Sequence, residues 1–325
     1  MKVLSRRSFV ASGFSFAVAG ICPKVSAQSF PSKPIRIIVP YAPGGGSDFV
    51  ARLIGQKLLE TSGFTMVVDN KPGASGLIGT DYVAKSPADG YVLLLADAAH
   101  ATNPAVYPKI PYDPIKDFVP LTLVGSSPQL LVANPQFPAN SLKELLAMPR
   151  DQTQKLGVGT NGLGSGPNLL YEMLKLKTGL TLVHVPYKGG AAALTDVIAG
   201  QIPLAINSIP ACMPHIQARK LKALAIATKA RDPRLPGVQT FAESASGIVV
   251  SSWYGFLAPA HTPPEAINKL TTAIAHVLDL PEVKSKFADA FIDPMPRGPQ
   301  ALSAFLDAET RQWKSVVTQT GFKMD

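Results

Sequence analysis

Runs of β-branched and aliphatic residues alternate with stretches of helical periodicity along this sequence, and glycine-rich loops stand at several of the junctions. Residues 35–39 (Ile-Arg-Ile-Ile-Val) stop at Pro40. After the loop Pro43-Gly44-Gly45-Gly46, residues 49–60 carry Val50, Leu53, Ile54, Lys57 and Leu58 at helical spacing. The unit repeats with a strand over 65–68, a helix over 78–85 and strands over 91–96, 119–124 and 130–133. A second series places helices over 142–148, 168–178 and 191–199 between strands over 155–159, 181–186, 202–206 and 223–227. The chain then returns to a strand over 251–258 and ends in helices over 264–278 and 299–320. Parallel neighbours need a crossover long enough for a helix, so this alternation predicts α/β architecture with largely parallel sheets. No period of 20–50 residues recurs, which argues against a solenoid or propeller.

Composition sets the scale. With 325 residues, 46% hydrophobic and 16% charged, the chain can bury a full core, which excludes disorder and small stapled scaffolds. At about 100–200 residues per domain, two domains are expected. Its 30 prolines and 26 glycines are spread as punctuation, so the elements should be short and many. Beyond the N-terminus no apolar run reaches the roughly 18–20 residues that span a bilayer, so the mature protein is expected to be soluble and not embedded in a membrane.

The N-terminus reads as a leader. Lys2, Arg6 and Arg7 form a basic head, residues 8–21 are uncharged and mainly small or apolar, and Val25-Ser26-Ala27 offers small residues for cleavage near Ala27. Ser5-Arg6-Arg7-Ser8-Phe9-Val10 resembles a twin-arginine signal, with general secretion as the alternative route. Either delivers the product to the periplasm. The formal net charge is +9, and Lys2, Arg6, Arg7 and Lys24 leave with the leader. The remaining bases are scattered without interleaved aromatics, so no nucleic-acid partner is expected. Cys22 leaves too, so Cys212 has no intramolecular partner and reads as a buried apolar residue.

Three loops carry the visible chemistry. Tyr41-Ala42-Pro43-Gly44-Gly45-Gly46-Ser47-Asp48 and Asn70-Lys71-Pro72-Gly73-Ala74-Ser75-Gly76 sit at strand-to-helix junctions of the first series. Gly159-Thr160-Asn161-Gly162-Leu163-Gly164-Ser165-Gly166 sits at one in the second. Glycines there let backbone N–H groups of a first helical turn approach a ligand, a geometry that favours an anion. Phosphoryl transfer loses support because no Gly-x4-Gly-Lys-Ser/Thr is present. Gly157-x-Gly159-x-x-Gly162 matches a dinucleotide fingerprint, but His184-Val185-Pro186-Tyr187 stands where a ribose-binding acid belongs. There is no Gly-x-Ser-x-Gly, His-Glu-x-x-His or Cys-x-x-Cys, and the five histidines have no carboxylate at metal-ligand spacing, so no metal, cofactor or catalytic residue is expected. His184 reads as a core or supporting residue, and Asp48 as an acid favoured by the positive end of its helix.

These motifs, in this order, resemble the Bug-type extracytoplasmic solute receptors of tripartite tricarboxylate transporters. Pro31-Ser32-Lys33-Pro34-Ile35-Arg36, Ala88-Asp89-Gly90-Tyr91, Pro111-Tyr112-Asp113-Pro114, His184-Val185-Pro186-Tyr187-Lys188-Gly189 and Ala199-Gly200-Gln201 join the loops above in the match, which covers essentially the whole mature chain. The resemblance implies a type II periplasmic binding (Venus flytrap) fold whose two domains each hold a mainly parallel sheet flanked by helices. Two hinge segments are expected near residues 126–131 and 249–253. The first domain would then be residues 28–128 plus 250–325 and the second 129–249. It also implies a small di- or tricarboxylate or aromatic acid held by both domains with ordered water, domain closure as the mechanism, and delivery by a monomer to membrane transporter subunits. The implied contacts are Tyr41, Ala42, Pro43, Gly44, Gly45, Gly46, Ser47, Asp48, Gly73, Ala74, Ser75, Gly76 and Ala98 from the first domain. From the second they are Thr160, Asn161, Gly162, Gly164, Ser165, Asn168, Tyr187, Lys188, Gly189 and Asn207. Helix starts at Ser47 and near Ser165 are expected to face each other across the closed cleft.

Two positions depart from the family pattern. Asn168 replaces a common histidine after Gly164-Ser165, and Asn207-Ser208 replaces Asp-Asn. Losing the second carboxylate removes an ammonium partner and favours an acid without an amino group. Tyr41, Tyr187 and Trp253 are candidates for an apolar wall, with core packing the equal alternative for Trp253. A sensor that presents its liganded form to a signalling protein would have the same sequence features. A secreted enzyme acting on a small acid is the remaining alternative.

Overall fold

The computed structural model describes residues 30–320; the leader and its cleavage site lie outside them. Its elements in chain order are β1 (Ile35–Val39), α1 (Gly46–Ser62), β2 (Met66–Asn70), α2 (Leu77–Ala84), β3 (Val92–Ala96) and α3 (Ala98–Val106). Next come β4 (Phe118–Ala133), α4 (Leu142–Ala147), α5 (Arg150–Thr153), β5 (Gly157–Thr160), α6 (Gly166–Thr178), β6 (Val183–Pro186), α7 (Gly190–Ile198) and β7 (Leu204–Ser208). The chain finishes with α8 (Ile209–Gln217), β8 (Lys222–Ile226), β9 (Ser251–Pro259), α9 (Pro264–Asp279), α10 (Pro281–Asp289), β10 (Asp293–Pro294) and α11 (Pro299–Thr320).

Local chemistry sets many of these bounds. In α1, Val50, Leu53, Ile54 and Leu58 form the buried stripe, and Gly63 stops the helix at φ 69° while its N–H reaches the carbonyls of Leu58 and Leu59. Ser165 caps α6 through the N–H of Asn168, Pro167 follows at the start where its missing N–H costs nothing, and Gly179 ends the helix at φ 70°. β3 reads Val-Leu-Leu-Leu-Ala with every residue buried, as a strand covered on both faces must.

Two sheets share one long strand. In the first, β2, β1 and β3 are parallel, β9 runs antiparallel between β3 and β4, and β10 adds to β4. In the second, β6, β5 and β7 are parallel and β4 runs antiparallel between β7 and β8. The two halves are thus built alike: three parallel strands, then one antiparallel strand that the chain borrows from elsewhere. β4 pairs β9 through Pro128 and pairs β7 and β8 from Gln129 onward. The return crossing runs through Val250, which bonds Gln129 and Ala227 before β9 begins at Ser251.

The structure corrects the sequence reading at several elements. β4 is one strand of 16 residues where two were expected, because register shifts near Pro120 and Gly125 absorb the breaks and Pro128 falls where partners change. Helix α1 begins at Gly46, three residues early, so the third glycine is part of its first turn. Helices α3, α5, α8 and α10 were not anticipated; α3 and α8 are nine-residue helices interrupted by Pro104 and Pro214. Trp253 resolves as core: it is 2% exposed, meets Phe305 edge-on, and its Nε1 donates to Glu309 at 3.1 Å. Cys212 is buried in α8, and the dry surroundings push its thiol pKa up.

Candidate functional site

The cleft between the sheets is closed along two seams. Along the first, the loop after β1 meets the loop before α7. Ala42 N–H points to the carbonyl of Lys188 at 3.4 Å, and a methyl group added to Gly189 would stand 3.1 Å from Ala42 N. Small residues permit this approach. A methyl group on Gly46 would lie 2.4 Å from the Tyr254 hydroxyl and 2.7 Å from Ser208 Oγ, and one on Gly190 would lie 2.2 Å from Asn207 Nδ2. The helix starts of α1 and α7 therefore press directly on side chains of β9 and β7.

Along the second seam, hydroxyls make the ties. Ser75 Oγ donates to the Leu163 carbonyl, and Thr102 Oγ1 donates to the Gly164 carbonyl at 2.8 Å. Asn103 Nδ2 holds the Ser75 carbonyl at 3.1 Å. Ser75 itself adopts φ 51° and Gly73 φ 135°, so the loop after β2 turns sharply into α2. The start of α1 presses on Ser208 and the start of α6 approaches Ala98 and Gln129, at 3.6 and 3.5 Å from a methyl group placed on Gly166, and Gln129 and Ser208 are partners in the β4–β7 pair.

Between the seams lies a cavity of about 350 Å³ lined by Tyr41, Gly73, Ala74, Ser75, Gly76, Tyr107, Asn161, Gly162, Leu163, Pro186, Tyr187 and Lys188. Among the described residues, six buried polar atoms without a hydrogen-bond partner are Asn161 Oδ1 in the cavity lining, Tyr254 Oη, Asn207 Nδ2, Gln129 Oε1 and Asn168 Nδ2 at the starts of α1, α7 and α6, and Asn103 Oδ1 beside Gly164. Native proteins seldom leave such groups unpaired, and several of them at the helix starts beside one cavity fit a place for a polar ligand with its water. Three of the six are donors suited to a carboxylate.

Several expected contacts turn out to support the loops from behind. Asp48 is 5% exposed and fully engaged, accepting from Arg52 at 2.9 and 3.0 Å, Gly44 N–H at 3.0 Å and Asn70 Nδ2 at 3.1 Å. Burial works against its charge, but these donors hold its carboxyl below the ordinary range. Pro43 and Gly44 are exposed, a methyl group on Gly45 would meet open space, and none of the three is among the residues lining this cavity. Thr160 binds His184 Nε2 at 2.7 Å under the next loop. Burial lowers the His184 pKa to about 4, so the ring is neutral and supportive, as the sequence suggested. Asn168 Oδ1 accepts from Gly164 N–H at 2.8 Å, Ser165 Oγ caps α6, and Ser47 is buried in the first turn of α1. Lys188 lines the cavity and is exposed. Tyr187 donates to Asp196 Oδ2 at 2.6 Å, which with burial raises its phenol to about 12.

Sequence reasoning missed Asp97, Tyr107, Gln129, Ser208 and Tyr254. Tyr254, Gln129 and Ser208 lie in or at the ends of strands that read as core, and only the pairing of those strands brings them against the starts of α1 and α6. Asp97 had a usable signal, since it ends a strand immediately before a helix, as the Gly-rich loops do.

The geometry agrees with comparison to known proteins. The family model described as tripartite tricarboxylate transporter family receptor matches residues 50–322. Protein BugT of Bordetella pertussis is 38% identical over 315 residues, covering 96% of this chain and 97% of that protein. R. palustris Rpa4515 with adipate is 35% identical with a TM-score of 0.86, covering 90% of this chain and 98% of that one. MatC from Rhodopseudomonas palustris with bound malate is 33% identical with a TM-score of 0.83, covering 89% and 100%. A match over so much of the length, joined to two sheets that share a crossing strand, places this chain in the tripartite tricarboxylate transporter receptor family.

Proposed function

We propose that this protein captures a small carboxylate between its two domains and delivers it, in the closed form, to membrane subunits of a tripartite tricarboxylate transporter. The observation that carries the reading is the cluster of buried, unpaired amide and phenol groups around a closed cleft, at the starts of α1, α6 and α7. Donors of this kind bind a carboxylate through charge-assisted hydrogen bonds without a buried lysine. The adipate and malate in the two R. palustris structures support the ligand class. The ligand contacts are taken to come from Tyr41, Gly46, the loop 73–76, the loop 161–165, the backbone of 187–189 and Asn207. The domains are taken to be 28–128 with 250–325, and 129–249, so that the β4 crossing and the return through Val250 form the hinge. A ligand touching both domains at once selects the closed form, with no bond made or broken. The leader would place the monomeric product in the periplasm.

A thermal-shift screen of residues 28–325, unfolded and refolded to strip any copurified ligand, tests this. Aliphatic di- and tricarboxylates, aromatic acids and acidic amino acids are compared with neutral sugars and nucleotides. A true ligand at 100 times its Kd stabilises by about 2.7 kcal/mol, a shift of a few degrees. A shift confined to carboxylates is the expected result. A shift with a neutral sugar or nucleotide and with no carboxylate overturns the reading.

A further inference from the structure

Asp97 is anomalous in a cleft read as an anion site. It ends β3 and caps α3, its Oδ1 accepting from Ala99 N–H at 3.0 Å and from the Tyr41 hydroxyl at 3.2 Å. Its other oxygen receives no hydrogen bond, and the carboxylate forms no ion pair, among the described residues. By contrast Asp48, at the start of α1, has a guanidinium and two further donors. Asp97 stands behind Tyr41, which lines the cavity. The preceding Ala96 pairs with Gly255, which puts Asp97 beside Tyr254, and the following Ala98 faces the start of α6. Tyr254 is 1% exposed with an unpartnered hydroxyl at the start of α1, and Asn168 is fully buried with an unpartnered Nδ2 at the start of α6.

A half-buried carboxylate without a cation would repel an acidic ligand. A donor in the complex that shared a proton with it would offset this cost. No lysine, arginine or protonated histidine does so: the groups coupled to it are the phenols of Tyr41, Tyr112 and Tyr254, and His100 one turn along α3 is buried with its Nε2 2.8 Å from the Pro114 carbonyl. The ligand itself is then the source that remains for such a donor. We infer that Asp97 is a specificity-determining residue, whose free oxygen accepts a hydrogen bond from a hydroxyl or ammonium carried by the carboxylate ligand. The cleft then prefers hydroxy or amino acids to the unsubstituted acid of the same chain length. This rests on the carboxylate-receptor reading above and narrows it. It also reverses the lean drawn from Asn207, because the acceptor lost there is supplied from the other wall of the cleft.

A capping role alone would also explain an acid at this position, and Asp97→Asn separates the two. Asparagine caps a helix as well as aspartate does, and its Oδ1 can keep both Ala99 and Tyr41, but it places an NH2 where the free oxygen was. Calorimetry on the refolded protein would compare matched acids: succinate, malate and aspartate; glutarate, 2-hydroxyglutarate and glutamate; adipate, 2-hydroxyadipate and 2-aminoadipate. In the chain length that binds, the hydroxy or amino member should bind at least about tenfold more tightly than the unsubstituted acid, since a site built for a donor rejects an analogue lacking it. Which of the two wins identifies the donor. In Asp97→Asn that ratio should collapse to within about threefold while the melting temperature does not fall. An unsubstituted acid that binds as tightly as its substituted partners overturns the proposal, as does a ratio unchanged by Asp97→Asn. If no acid of any set binds the folded wild type, the carboxylate reading itself fails and takes this proposal with it.

Discussion

Asp48 and Asp97 both stand at helix starts that follow parallel strands of the first sheet, Asp48 in the first turn of α1 and Asp97 as the N-cap of α3, yet the molecule treats them oppositely. Asp48 is surrounded by donors, and its carboxyl is held below the usual range despite burial. Asp97 is deprived of water with only a backbone N–H and a phenol to offset it, and its carboxyl rises to about 6. The difference lies in what the surroundings supply. Arg52 stands one helical turn from Asp48, and Asn70 reaches across from the end of β2. Nothing cationic lies one turn beyond Asp97, where Ala101 occupies the equivalent position. A satisfied acid builds the scaffold. An unsatisfied one costs stability, and proteins keep such costs chiefly where function needs them.

The largest expected effect breaks the first half of this comparison. Asp48→Ala removes four hydrogen bonds, frees the Gly44 turn and should lower stability by about 3 kcal/mol, read as a fall in the denaturation midpoint. Asp97→Asn should act in the opposite sense and stabilise the unliganded protein above pH 6 by up to about 2 kcal/mol, discounted from the full shift because the group is only half-buried.

The pH dependence separates the two further. A folded pKa raised above the unfolded value means that the folded state holds its proton longer. Asp97 therefore lowers stability as pH rises from about 4 to about 6 and is level above that. Asp48, with its pKa lowered, contributes stability that is present above the ordinary carboxylate pKa of 3.8 and lost as pH falls below it. Thermal unfolding of wild type and Asp97→Asn between pH 4 and 7 should show the first slope only in the wild type. The smallest effects come from removing one neutral donor from each acid. Asn70→Ala should cost about 1 kcal/mol, and Tyr41→Phe about 0.5 kcal/mol while raising the Asp97 pKa further, the latter followed by carboxyl carbon NMR. A Tyr41→Phe variant whose Asp97 titrates lower than wild type would contradict the pairing.

Much of the fold was legible because it is written in local patterns. β1, α1 and α9 announce themselves by periodicity and by glycine or proline at their ends, and alternation alone points to parallel sheets. The misses share a cause. β4 hides as two strands because Gly125-Ser126-Ser127-Pro128 is a poor strand sequence, and it stays extended only because β9, β7 and β8 each hold part of it. α3 and α8 contain an internal proline and take their stability from packing. At the site, the glycines at 46, 73, 76 and 162 could be singled out from the letters, but the reason for Gly46 could not, and Gly190 was not among them. Gly46 and Gly190 are small because Tyr254, Ser208 and Asn207, distant in sequence, arrive within 3 Å of where a side chain would begin.

The sequence by itself determined the class of fold, the places where helix starts and glycine loops could form an anion site, and the family to which the motifs point. These follow from periodicity, turn chemistry and residue type, all of which act within a few residues. Only the tertiary structure decided which loops meet across the cleft, that Asp48 is a strut, that Trp253 is core and that Asp97 stands without a counterion beside Tyr254. Burial and hydrogen-bond partnership depend on what the fold brings from far along the chain, and the same carboxylate is a strut or stands without a counterion according to the neighbours it is given.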